Sequence, residues 1–116
     1  MGLALIVLAT LLGIAALGSG VQKLRRDPAI MASMKSVGVD ASRVPALAIL
    51  EILGAAGLVV GIWIAPVGIA AAVGLTLYFL GAIIAHLRMK APAKEGLPAA
   101  VLFLLALATA LLEITR

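Results

Sequence analysis

The chain has 116 residues, 65% of them apolar and only 12% charged. A typical soluble domain is about 45–50% apolar and roughly 25% charged, and so short a soluble chain buries only a modest share of its surface. Lipid is therefore the expected solvent for most of these side chains, and the length allows one domain at most.

Cysteine is absent and there is a single histidine. Disulfides, thiolate metal sites and thiol redox chemistry are excluded for the chain itself, and no multi-histidine metal site can form. The net charge of +4 would suggest a nucleic-acid partner in a soluble protein. Here the basic residues cluster between apolar stretches, and aromatics make up 3%, too few for base stacking.

A transmembrane helix needs about 20 apolar residues, and four segments meet or approach this, at 2–21, 45–64, 66–86 and 97–113. All backbone polar groups must be paired within the segment in hydrocarbon, which selects helix. The first span carries no charge. It lacks the basic leading segment of a signal peptide, and nothing like a small-x-small cleavage site precedes a soluble domain, so a retained helix is the expectation. The connection 22–44 is long. Within it, residues 28–37 (PAIMASMKSV) place Ile30, Met31, Met34 and Val37 at helical spacing with Lys35 opposite, the pattern of a short amphipathic helix on the membrane surface. An unstructured loop is the alternative reading.

The second span holds one charge, Glu51. Ile64-Ala65-Pro66 leaves almost no loop before the third span, with Pro66 suited to a first helical turn, so spans two and three are antiparallel neighbours. The connection 88–96 reads as a short polar turn with Pro92 as a breaker. The fourth span is the shortest and places Glu113 near the far interface. The fold class is thus all-α: an integral membrane four-helix bundle with a short interfacial helix between spans one and two.

Four spans put both termini on one side. Lys23, Arg25, Arg26, Lys35, Arg43, Arg88, Lys90 and Lys94 fall on the other, against Arg116 alone. The positive-inside rule then puts the basic connections in the cytoplasm and both termini outside, as for a multi-pass membrane protein. Packing between spans requires small residues, since lipid gives no hydrophobic drive for helix association. Candidates are Gly13 and Gly20 in span one, Gly54, Gly57 and Gly61 in span two, and Gly74 and Gly81 in span three. Span four, mostly Leu and Ala, is expected to be more lipid-exposed or to form an oligomer contact.

Ionisable groups within a span are costly and become functional candidates by default. Glu51 lies eight residues past Arg43, or about 12 Å at helical rise, below the headgroups. Lys23 closes span one on the same side, with Ser19 one turn deeper and Gln22 beside it. His86 closes span three, its face continuing inward to Phe79 and Tyr78. Two readings follow. In the structural one, Glu51 pairs with Lys23 to lock two spans together, Lys23 snorkels to the interface, and His86 is an interfacial residue. In the functional one, Lys23, Glu51, Ser19, Gln22 and Tyr78 line a pocket open to the cytoplasm, and His86, as the one side-chain type able to gain or lose a charge in the physiological range, relays a proton or binds a polar headgroup. Trp63 has the position of an interface anchor. No nucleophile motif, phosphate loop, haem-ligand pair or multi-carboxylate metal site is present; GSG at 18–20 follows a membrane span rather than a strand.

GSGVQKL (18–24), LEILGAAGLVVG (50–61) and GAIIAHLR (81–88), in that order on four spans, resemble the DoxX-like family of small bacterial membrane proteins over nearly the whole chain. The pattern carries over to Gly20, Lys23, Glu51, Gly54 and His86. The resemblance implies a four-helix transmembrane fold. Through the family name's link to subunits of a thiosulfate–quinone oxidoreductase, it also implies a quinone- or redox-related role with a membrane or peripheral redox partner. Three functions compete: an accessory subunit whose polar pocket holds a bound lipid, a quinone or a partner; a component of a quinone-linked oxidoreductase; and a small proton-coupled exporter of lipophilic cations. Exporters of this size dimerise around a first-span glutamate, and here that span has none. A homo-oligomer is compatible with all three.

Overall fold

The computed structural model describes residues 2–90 and 93–116, with the side chains of all but 93–95. The first helix, α1, spans Leu3–Leu24. The expected end at residue 21 is overrun because Gln22, Lys23 and Leu24 are all good helix formers; polarity ends a span without ending a helix. The chain then turns through Arg26 into α2, Pro28–Ser36. Asp27 accepts from the backbone N–H of Ala29 (3.0 Å) and Ile30 (3.4 Å), and Pro28 occupies the first turn, where its missing N–H costs nothing. Gly38, at φ +80°, stops the helix in the left-handed region; Val39 N–H closes back on Met34 C=O at 2.9 Å, as a helix-ending glycine allows.

A short 3₁₀ turn, Ala41–Arg43, leads into α3, Val44–Val60. This span lies four residues nearer the basic end than the expected 45–64, running through 41–60 when the 3₁₀ turn is included. The helix stops at Val60 because Ile62 and Trp63 N–H turn back onto Val59 and Val60 C=O at 3.1 Å each. The C=O groups this frees at Gly61 and Ile62 accept from the Arg116 guanidinium at 2.8 and 3.4 Å. Trp63, 76% exposed, stands in that turn. The long helix α4 covers Ala65–Arg88 and α5 covers Ala93–Thr115. The expected polar turn at 88–96 is thus shorter: Lys94, Glu95 and Gly96 are helical. Pro92 lies outside the described residues.

Four of these helices are long and apolar enough to cross a membrane. They form a ring in chain order, α1 packing on α3 and α5, and α4 packing on α3 and α5. Leu3, Ile14, Leu53, Leu77, Leu97 and Leu104 point outward, 61–76% exposed. The centre holds Leu12, Ala16, Ala55, Leu58, Ala72, Leu75, Phe79, Ala106 and Ala110. Leucines on the outside and alanines filling much of the inside is an arrangement a lipid solvent permits.

The fourth span is a full member of the core, contrary to the expectation that it would be peripheral. Ala99, Ala106, Thr109 and Ala110 on α5 are buried, since small side chains let α5 pack closely on its neighbours. The glycines divide. A Cβ at Gly57 would lie 2.8 Å from Ala71 Cβ, one at Gly54 2.6 Å from Leu75 Cδ2, and one at Gly20 2.8 Å from Ile52 Cγ1. Gly61 faces the Gly68 backbone so closely that no Cβ fits. At Gly13 the nearest neighbour, Leu58 Cδ1, is 4.0 Å away, and at Gly74 and Gly81 a Cβ would meet nothing within 4 Å. The last two do not serve helix packing within this chain; they face open grooves.

Candidate functional site

Glu51 lies near the middle of α3 and is fully buried, on the face that α3 presents to α1 and α4. One of its oxygens, Oε1, accepts from Lys23 Nζ, from Tyr78 Oη at 3.1 Å and, more weakly, from Ser19 Oγ at 3.4 Å. Lys23 Nζ also donates to Ser19 Oγ at 2.8 Å and lies 6.0 Å from the centre of the Tyr78 ring. Three helices therefore converge on one carboxylate oxygen. Glu51 Oε2 is buried and has no partner among the described residues.

Lys23 does not snorkel outward. It is 6% exposed, and its side chain runs back along α1 to Ser19, one turn deeper. Side chains on a helix lean toward its N-terminus, and for α1 that direction leads into the bilayer. The lysine is thus delivered to the acid by helix geometry, and the ammonium and carboxylate neutralise each other where neither could be left alone. Gln22 is the exception among the expected polar residues. It is exposed, turned away from Lys23 around the α1 terminus, and takes no part in the network.

His86 belongs to the same end of the bundle without joining that network. It is 9% exposed, in the last turn of α4. Its Nδ1 is 2.7 Å from Ala82 C=O. A carbonyl only accepts, so Nδ1 carries the proton, and in the uncharged ring Nε2 is left as an acceptor. That Nε2 is buried and has no partner among the described residues.

Between His86 and the Lys23 group lies a cavity of about 410 Å³. Ser19 and Lys23 of α1, Tyr78 and His86 of α4, and Pro98 and Ala99 of α5 contribute to its wall. Its roof is α2, through Ile30, Ser33, Met34 and then Val37. The helical periodicity that suggests a surface helix thus also aims one face of α2 at the cavity, and Lys35 and Ser36 stay exposed.

A second buried acid, Glu113, sits at the opposite end of the bundle. It is 1% exposed and rests on Gly68, where a Cβ would come 2.6 Å from Oε2. It pairs with Arg116 at 3.1 Å. Sequence reasoning places Glu113 at an interface and passes over Gly68. The available signal is a glycine near the start of one helix facing an acid near the end of the next. Among the described residues no group of three or more His, Asp or Glu could hold a metal ion.

The model of the DoxX-like family matches residues 7–109. The chain belongs to the DoxX-like family. The matched part of this DoxX-like protein contains Ser19, Lys23, Glu51, Tyr78 and His86, whereas Glu113 and Arg116 lie beyond it. Comparison with curated proteins and with solved structures gives no match.

If burial makes each member of the ion pair depend on the other, Lys23→Met alone should destabilise the protein by about 3–5 kcal/mol, by leaving Glu51 uncompensated. The double variant Lys23→Met/Glu51→Leu should recover most of that loss. Reversible unfolding in detergent micelles measures both. Equal destabilisation of the single and double variants would mean that the pair is not coupled.

Proposed function

We propose that this DoxX-like membrane protein is an accessory subunit that retains a ligand in the cavity beneath α2, on the cytoplasmic side of the membrane. The observation that carries this reading is the pairing of a partly open cavity with unfilled polar valence. The cavity of about 410 Å³ falls within the usual range of roughly 300–1,000 Å³ for small-molecule sites. His86 presents a buried acceptor there without a partner among the described residues. Buried polar groups normally find partners, and an unmet one on a residue that lines a cavity is what a bound molecule would satisfy. The Lys23–Glu51–Tyr78 network then gives the cavity a fixed polar wall, holding its side chains before any ligand arrives. The quinone-linked reading rests on the family resemblance, and no residue geometry here adds to it.

Retention can be read directly by mass spectrometry of protein released from its native membrane. Wild type should carry a bound small molecule. Glu51→Gln, which weakens the Lys23 clamp, should reduce its occupancy several-fold. Gly81→Leu, at a position on the cavity wall with open space around it, should abolish it. Unchanged occupancy in both variants would refute the reading.

The sidedness is part of the same proposal. Eight of the nine Lys and Arg residues belong to the end that holds the cavity, and positive charge favours the cytoplasmic face. The chain has no cysteine, so single cysteines report cleanly. In intact spheroplasts an impermeant maleimide should label Leu3→Cys and spare Lys35→Cys. The reverse pattern would invert the topology.

A further inference from the structure

We propose that the retained ligand is an uncharged single-chain lipid of the monoacylglycerol type, with its head in the cavity and its chain in the groove between α3 and α4. The inference rests on the ligand-binding reading above and specifies the ligand's chemistry.

The head chemistry follows from the unused hydrogen-bonding capacity of His86, Tyr78 and Lys23 at the inner wall; Ser33 on the α2 roof carries a hydroxyl that can either donate or accept. In its uncharged form, His86 offers Nε2 as an acceptor. Tyr78 donates its proton to Glu51, which leaves the phenolic oxygen able to accept. Lys23 has three protons, and among the described residues it gives them to Ser19 and Glu51 only, leaving one to donate. The complementary head carries two hydroxyl donors and one carbonyl acceptor, which are the two free hydroxyls and ester carbonyl of a monoacylglycerol. The charges of Lys23 and Glu51 cancel, so the site favours a neutral head over a phosphate or a carboxylate. A quinone head brings two acceptors and no donor, and would leave Nε2 of His86 unmet.

The polar cavity adjoins a groove that suits the tail. Leu77 and Tyr78 line the polar cavity and also an apolar groove of about 600 Å³. That groove runs between Leu50, Leu53, Gly54 and Gly57 of α3 and the α4 face from Tyr78 to Val67. Eleven residues of helix span about 16 Å, roughly half the hydrocarbon thickness of about 30 Å, which suits a chain belonging to one leaflet. Gly74 opens the middle of the groove, since a Cβ there meets nothing within 4 Å.

The test is binding of 1-oleoylglycerol to the full-length protein in nanodiscs, followed by native mass spectrometry, with oleate, methyl oleate and a long-chain quinone as comparators. Wild type should prefer 1-oleoylglycerol over each by about ten-fold or more. His86→Phe should weaken 1-oleoylglycerol binding about ten-fold and leave methyl oleate unaffected, while His86→Gln, which keeps an acceptor, restores part of the loss. Gly74→Leu should block the chain while keeping the fold, since leucine is a better helix former than glycine; helicity and unfolding temperature check this. The lipid inference is overturned if the comparators bind as well as 1-oleoylglycerol or if Gly74→Leu has no effect. If in that event Gly81→Leu still empties the cavity of its native ligand, the ligand-binding reading stands and only the identity of the ligand is wrong. If Gly81→Leu also changes nothing, both fall.

Discussion

One carboxylate in hydrocarbon organises the basic end of this bundle. An isolated charge there is expensive enough that it must be matched in place, and Glu51 draws its match from two other helices. Lys23 reaches it from α1, and Tyr78 reaches it from α4. Each of those side chains is then held at a fixed depth, and the depth of Tyr78 and Lys23 fixes one wall of the cavity. The polar network and the cavity are two consequences of the same requirement.

The rest of the molecule is arranged so that this convergence is possible. Gly20, Gly54 and Gly57 let α3 approach α1 and α4 closely, which brings three helices within side-chain reach of one oxygen. At the opposite end a different pair does comparable work. Glu113 lies on Gly68, and Arg116 joins it to the carbonyls that α3 leaves free at Gly61 and Ile62. The bundle is thus tied at both ends by an acid and a base, with an almost wholly apolar centre between. The two ends differ in what remains open. Arg116 and Glu113 are engaged with each other and with backbone, whereas His86 Nε2 and Glu51 Oε2 are left without partners among the described residues.

Composition and the four apolar runs were enough to read a helical membrane bundle, because nothing else can hold so many exposed leucines. The short helix after span one was legible from the spacing of Ile30, Met34 and Val37, but its role as a roof was not, since periodicity gives a face and not what the face covers. The place of α5 is not legible in the sequence because alanine carries a weaker packing signal than glycine, and Ala99, Ala106 and Ala110 do not stand out in a Leu-Ala run. Gly74 and Gly81 were indistinguishable from the packing glycines in sequence: whether a small residue closes a contact or opens a groove depends on the neighbouring helix. Lys23, Glu51 and Ser19 can be brought together by counting turns, because a charge inside a span requires a partner; the same count puts His86 at that level too, and only the structure shows that it bonds to Ala82 C=O instead. Gln22, one residue from Lys23, is turned about 100° around the helix and falls outside the group.

The most direct measurement is a distance between labelled atoms in a lipid bilayer. Solid-state dipolar recoupling between lysine ¹⁵Nζ and glutamate ¹³Cδ should show one strong coupling at hydrogen-bonding range in the wild type, lost in Lys23→Met and retained in Lys35→Met. Absence of that coupling in the wild type would mean that Glu51 is not matched by Lys23 in the membrane, and the account of the site built on their pairing would be wrong.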